Sequence, residues 1–189
     1  KMSRRHPARP DGLGKLNVVV VSSESFGAEF SKLHGSDKDW TPNFDSYAKR
    51  GLWFANTYAS GTRTVRGLEA ITASLPPIPT VSILRRPGNQ GIGSWGKVMN
   101  ELGYQSSFLY GGYGYFDNMN AYFGANDYKV VDRTDLPAGE IAFENVWGVA
   151  DESLFGGALR AFDGAARDHK PFFAHIMTTS NHRPFTYPD

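Results

Sequence analysis

The sequence predicts an α/β domain, a sheet joined by crossover helices, and three observations carry that reading. Short apolar runs alternate with segments of helical apolar spacing along the chain. Two of the runs, Val18-Val-Val-Val21 and Pro171-Phe-Phe-Ala-His-Ile-Met177, are continuous enough to be strands buried on both faces. Aromatic residues make up 14% of the chain, with 21 Gly and 11 Pro, a composition that suits a loop-rich enzyme better than a helical bundle.

Each element follows from local signals. Val18–Val21 is the first strand. Thr41-Pro42 opens a helix, with Thr41 as cap and Pro42 in the first turn, and Gly51 stops it after Arg50. Leu52–Tyr58 reads as a second strand. From Thr64 to Leu75, apolar Val65, Leu68, Ile71 and Leu75 fall at helical spacing, and Pro76-Pro77 ends the run. Ser94–Leu102 is a further helix with Gly103 at its C-terminus. Ser106–Tyr110 is a strand, Tyr128–Val131 a short edge strand, Asp151–Arg167 the longest helix, and Pro171–Met177 the last strand. No internal repeat is present.

Composition narrows the function. With 189 residues the chain can bury one proper α/β core. Lys and Arg number 20 against 19 Asp and Glu, so no excess charge argues for a nucleic-acid groove, and no nucleic-acid partner is expected. No apolar run approaches the ~20 residues that span a bilayer, and no secretory leader pattern appears. Residues 1–15 read as a basic tail or linker, beginning Lys1-Met-Ser-Arg-Arg-His-Pro. Cysteine is absent, which excludes disulfides, thiolate ligands and a Cys nucleophile.

Two segments concentrate the chemistry. The valine run leads to Glu24, at the strand end where open α/β sheets keep their ligands, and a carboxylate there can hold a hard cation. Taken alone, Glu24 is better read as an ordinary exposed strand-end residue. Gly61-Thr-Arg-Thr64-Val-Arg-Gly67 places Thr64 at the start of a helix, where free N–H groups and the helix dipole favour an anion. Arg63 and Arg66 flank it and could neutralise phosphate oxygens. Thr64 could instead be a plain N-cap, and Thr62 is a rival hydroxyl. Threonine is a poor nucleophile without a base or metal beside it. Gly111-Gly-Tyr-Gly-Tyr-Phe-Asp117-Asn118-Met-Asn120 reads as a substrate-lining loop, and no helix is expected to follow it in the manner of a dinucleotide fingerprint. His182 stands just beyond the last strand, whereas His175 lies within that strand and reads as structural.

In this order, the pieces resemble the lipoteichoic acid synthase and phosphoglycerol transferase family of the sulfatase and alkaline phosphatase superfamily. The match is carried by Asn17–Ser25, Thr41-Pro-Asn-Phe-Asp45, Gly61–Glu69, Tyr110–Phe123, Trp147-Gly-Val-Ala-Asp151 and Ser180-Asn-His-Arg-Pro-Phe185. It covers roughly residues 16–188. The resemblance implies a sulfatase-like sheet flanked by helices, with residues 16–189 forming the N-terminal portion of the catalytic domain. It makes Thr64 the nucleophile and a metal ligand, Glu24 a metal ligand and His182 a residue that binds the head group; Arg66 beside Thr64, and Asp117 and Asn118 in the Gly-aromatic loop, are further substrate-binding candidates. The implied cofactor is a divalent cation, Mn2+ first, with Mg2+ or Zn2+ as alternatives. The implied donor is a phosphatidylglycerol-type lipid head group, and the acceptor a glycan or polyglycerophosphate. The same resemblance implies an extracytoplasmic site near the membrane, with an N-terminal anchor that this sequence lacks.

Two departures stand out. The family's Asp-His metal pair lies on later strands, and the chain ends before any such motif, so truncation at the C-terminus and an inactive fragment are expected. Asp117 and Met119 occupy the places where a tryptophan and an arginine line the head-group pocket of the Gram-positive synthases, which favours another acceptor. Two alternative readings are a sulfatase-fold hydrolase and a module that binds a glycerophosphate-like ligand without turnover. Sulfatases mature a Cys or Ser, and Thr64 is neither.

Overall fold

The computed structural model describes residues 14–188; apart from Gly14 and Lys15, the basic tail expected over residues 1–15 lies outside them. Four strands form one parallel sheet: β1 (Val18–Ser22), β2 (Gln105–Tyr110), β3 (Lys129–Val131) and β6 (Phe172–Met177), in the order β1-β6-β2-β3. The short β4 (Glu144–Asn145) and β5 (Gly148–Val149) pair antiparallel as a separate hairpin. The α-helices are α1 (Pro42–Ala48), α2 (Thr64–Ala73), α3 (Trp95–Glu101), α4 (Met119–Gly124) and α5 (Asp151–Arg167).

The period-two alternation of the strands divides the core into two layers. Phe108, Tyr110, Phe173 and Met177 turn to one face, where Val65 and Leu68 of α2, Met99 of α3 and Met119, Tyr122 and Phe123 of α4 close over them. Leu109, Ala174 and Ile176 turn to the other face and meet Leu154, Ala158 and Phe162 of α5. The central strand is β6, bonded to β1 on one side and β2 on the other, and it is buried from Phe173 to Met177. His175 is enclosed there. Its Nε2 lies 2.8 Å from Ser22 Oγ, and burial pushes its pKa down to about 4, so the ring is neutral and structural.

The four-valine run differs from expectation. Val18 and Val20 pack on the first core, but Val19 and Val21 remain 45% and 46% exposed. They point to the face covered by α5, which packs chiefly over β2 and β6. The strand is therefore buried on one face, not two.

Leu52–Tyr58 is not a strand. It finds no ladder partner among the described residues and runs as turn and irregular chain, with Leu52 82% exposed. An apolar run without a neighbouring edge has nowhere to place its backbone hydrogen bonds except turns and water. Thr41 precedes α1 as expected, but its hydroxyl donates to Phe30 O at 2.9 Å instead of capping the helix. The helix after the Gly-aromatic segment, α4, was not expected. It is short, yet Met119, Tyr122 and Phe123 fall at i, i+3 and i+4, and all three are buried, a spacing that identifies it.

Candidate active site

The carboxyl ends of β1, β2 and β6 meet at one edge of the sheet, together with the N-termini of α2 and α5. Parallel strands all deliver their following loops to this edge, so residues distant in sequence converge there. Glu24 lies two residues beyond β1. Its backbone N–H donates to Thr178 Oγ1, just after β6, at 2.9 Å. Ser25 then takes a left-handed conformation, φ 49°, which a non-glycine residue adopts only where surrounding contacts fix it.

Thr64 is the first residue of α2, and Arg63 occupies the N-cap position without a side-chain cap bond. The Thr64 hydroxyl is thus not a cap. It donates to Glu24 Oε2 at 2.9 Å, across forty residues of sequence. Thr62 is exposed in the turn before the helix. Ser25 Oγ donates to the other Glu24 oxygen at 3.0 Å. Both Glu24 and Thr64 are half-buried.

The pair fits two positions of an oxygen-preferring cation. Both groups offer oxygen, one of them a carboxylate, the ligand type that hard divalent cations take, so the pair could supply two ligands. Burial pushes the Tyr110 phenol at the end of β2 up to about 12, and the negative charges of Glu24, Asp117 and Asp132 push in the same direction. Among the described residues no cluster of three or more His, Asp or Glu side chains is assembled to hold a metal.

No side chain of the remaining sequence candidates is hydrogen-bonded to this pair among the described residues. His182 is half-buried beyond β6, its ring centroid 3.8 Å from that of Trp147. His182 Nδ1 lies 2.8 Å from the Arg183 carbonyl oxygen, which can only accept. The proton of the neutral ring therefore resides on Nδ1, leaving Nε2 as an acceptor for a substrate hydroxyl. Asp117 and Asn118 are consecutive left-handed residues, φ 51° and 61°, a conformation that Asp and Asn tolerate better than most. Asp117 pairs with Arg85 at 3.3 Å, and Asn118 Nδ2 donates to Leu84 O at 2.6 Å. Arg66 turns away from Thr64: its guanidinium donates to Glu69 Oε1 at 2.9 Å and to the Thr80 carbonyl. The structure thus brings Glu24 and Thr64 into direct contact and engages Arg66 on the far side of α2.

The Gly-aromatic loop is held by Asp132, which sequence reasoning did not single out. The buried Asp132 carboxylate accepts from Gly114 N at 2.9 Å, Asn120 Nδ2 at 2.7 Å, Thr134 N at 2.8 Å and Thr134 Oγ1 at 2.6 Å. Burial alone would raise this carboxyl, but the four donors outweigh it and hold it below the usual carboxylate range. A depressed folded pKa stabilises the protein above the unfolded value of about 3.9, and that contribution is lost as pH falls through the folded pKa. Asp132→Ala is expected to lower stability at pH 7 by roughly 3 kcal/mol, the scale of hydrogen bonds to a charged acceptor. Urea titrations of both proteins at pH 7 and pH 3 check this, because the gap must narrow at the lower pH.

The model of the sulfatase family matches residues 16–189. The chain belongs to the sulfatase family. This sulfatase-family chain is similar to the lipoteichoic acid synthase of Staphylococcus saprophyticus subsp. saprophyticus, 27% identical over 181 residues, which cover 91% of this chain and 27% of that protein. Among solved structures it resembles an alkaline phosphatase superfamily protein from Vibrio parahaemolyticus, with TM-score 0.85 and 36% identity over 93% of this chain and 43% of that one. It also shares the fold of the lipoteichoic acid synthase LtaP from Listeria monocytogenes, with TM-score 0.80 and 18% identity over 92% of this chain and 43% of that one. The sulfatase-family chain therefore spans less than half the length of each of these relatives. The resemblance read from the motifs and the α/β sulfatase-like architecture both hold.

Proposed function

We propose that this chain carries the nucleophile-bearing part of a metal-dependent transferase. It moves a phosphoglycerol group from a phosphatidylglycerol-type lipid to a polymer or glucan hydroxyl through a phosphothreonine at Thr64. The observation that carries the reading is the 2.9 Å hydrogen bond from Thr64 Oγ1 to Glu24 Oε2, at the N-terminus of α2 and the carboxyl edge of the sheet.

In the first step the Thr64 hydroxyl gives up its proton as Oγ forms a bond to phosphorus, the bond from phosphorus to the diacylglycerol oxygen breaks, and that oxygen takes up a proton, so diacylglycerol departs as the alcohol. In the second step the acceptor oxygen attacks the glycerophosphoryl-threonine, and Thr64 is released with its proton restored. Glu24 orients the Thr64 hydroxyl before attack and again when the hydroxyl is released. The free N–H groups at the start of α2 face the anion that the phosphoryl group presents. His182 Nε2 accepts from a glycerol hydroxyl and fixes the head group. A divalent cation, Mn2+ first and Mg2+ or Zn2+ as alternatives, held by Glu24 and Thr64 would acidify the hydroxyl and offset charge on the phosphoryl oxygens. The donor is a membrane lipid, so on this reading the site works at the extracytoplasmic face of the bacterial membrane, in a protein with an N-terminal anchor.

The covalent intermediate supplies the test. The natural protein, supplied with phosphatidylglycerol and Mn2+ but no acceptor and quenched in acid, is expected to carry a glycerophosphoryl adduct on the peptide containing Thr64, seen by mass spectrometry. An adduct on Thr62, or transfer without any adduct, sinks the reading.

A further inference from the structure

The Trp147–Asp151 segment takes no part in the chemistry described above, yet it grips the loop on which the candidate site depends. Asp151 opens α5, but its carboxylate does not cap the helix, and Ala150 at the N-cap has no side chain able to do so. Instead Asp151 Oδ1 accepts from the backbone N–H groups of Thr179 and Ser180, at 2.9 and 3.0 Å. Ser180 Oγ accepts in return from the Asp151 N–H at 2.8 Å, and so serves as the cap that α5 lacks. Thr179 Oγ1 donates to Val149 O at 2.7 Å, closing the same junction from β5.

The loop held in this way reaches the site at three points. Thr178 Oγ1 accepts from the Glu24 N–H, Asn181 Nδ2 donates to Ser25 O at 2.9 Å, and the His182 ring lies against that of Trp147 at a tilt of 31°. The His182 N–H also donates to Thr179 O at 3.0 Å, so the histidine is one hydrogen bond away from the clamped residues. The Asp151 side chain has no hydrogen bond to Thr64, Glu24 or His182 among the described residues, and its influence on them passes through the loop.

We infer that Asp151 is a positioning residue whose carboxylate, by fixing the Thr179 and Ser180 amides, sets the placement of Glu24 and His182 together. The inference rests on the reading of Glu24, Thr64 and His182 as one phosphoglycerol site. It also gives the Trp-Gly-Val-Ala-Asp motif a physical role: Trp147 backs the His182 ring, and Asp151, four residues on, holds the backbone that carries it.

The test compares Asp151→Ala, Asp151→Asn and Ser180→Ala in the natural protein. One readout is hydrogen–deuterium exchange of the peptide containing Glu24, and the other is binding of sn-glycerol 1-phosphate in the presence of Mn2+. Asp151→Ala is expected to raise exchange at Glu24 and weaken glycerol phosphate binding, each by about tenfold, the scale of one lost hydrogen bond. Asp151→Asn keeps an oxygen able to accept from both amides, and is expected to stay within about threefold of the natural protein in both readouts. Ser180→Ala removes the substitute cap of α5 and lowers the melting temperature, but leaves both readouts near their natural values. Unchanged Glu24 exchange in Asp151→Ala, an Asp151→Asn as impaired as the alanine variant, or an equal loss in Ser180→Ala overturns the positioning role. Failure of the natural protein to bind glycerol phosphate overturns the proposed function instead, and Glu24 exchange then still decides the role of Asp151.

Discussion

Replacing Thr64 by alanine in the natural protein is expected to reduce phosphoglycerol transfer by about 10⁴-fold or more, because the loss of an attacking nucleophile leaves only binding and electrostatic assistance. The expectation rests on where the hydroxyl goes. Thr64 Oγ1 is not consumed in capping α2 and is directed to Glu24, whereas Thr62 sits exposed in the turn before the helix. Thr62→Ala is therefore expected to keep transfer within about threefold of the natural rate, the ordinary tolerance of an exposed position. Steady-state rates of glycerophosphate release from phosphatidylglycerol separate the two variants. A Thr64→Ala protein that still transfers, beside a Thr62→Ala protein that does not, would reverse the assignment.

Arg66→Ala is expected to act on stability before it acts on substrate. Its guanidinium pairs with Glu69, whose side chain is 3% exposed and also accepts from Ser82 Oγ at 2.8 Å and Ile83 N at 2.7 Å. Burial by itself would raise the Glu69 carboxyl, but Arg66, Ile83 and Ser82 together hold it below the usual range. Removing Arg66 leaves a buried carboxylate without its counter-charge, a change that costs about 3–5 kcal/mol. For a domain of this size the melting temperature should fall by roughly 10 °C. In the natural protein the depressed folded pKa means that the Glu69 contribution is complete above the unfolded value of about 4.3, and is lost as pH falls through the folded pKa. The Arg66→Ala deficit, measured by calorimetry, should accordingly be large at pH 7 and shrink below about pH 4. An unchanged melting temperature combined with a raised KM for the lipid would show that Arg66 serves substrate instead.

The contrast between these two residues shows how far the sequence could be read. Both lie in Gly61–Gly67, and both carry groups suited to phosphate chemistry. What separates them is the direction that each takes from α2. Thr64, at the first helical position, faces the sheet edge and Glu24, whereas Arg66, two residues on, faces the segment from Thr80 to Ile83. Helical geometry turns each successive residue by about 100°, so neighbours in a motif need not share a site. Asp132 was not singled out in the sequence, and Asp151 was legible only as part of the Trp147–Asp151 motif and as the start of a helix. Part of their importance lies in backbone N–H groups of distant loops, Gly114 for Asp132 and Thr179 and Ser180 for Asp151, which no side-chain pattern records.

The amino-acid pattern alone determined the α/β class, the order of its main strands and helices, the span of the longest helix at Asp151–Arg167, and the family resemblance. Those features depend on periodicity, caps and breakers, which act between residues close in sequence. Tertiary structure decided the rest. Among the described residues it left Leu52–Tyr58 without a partner strand, left Val19 and Val21 exposed, and buried three residues of the short α4. It also joined Glu24 to Thr64 across 40 residues and to Thr178 across 154. Partners that far apart are set by the path of the whole chain, because a parallel sheet gathers the ends of distant strands at one edge.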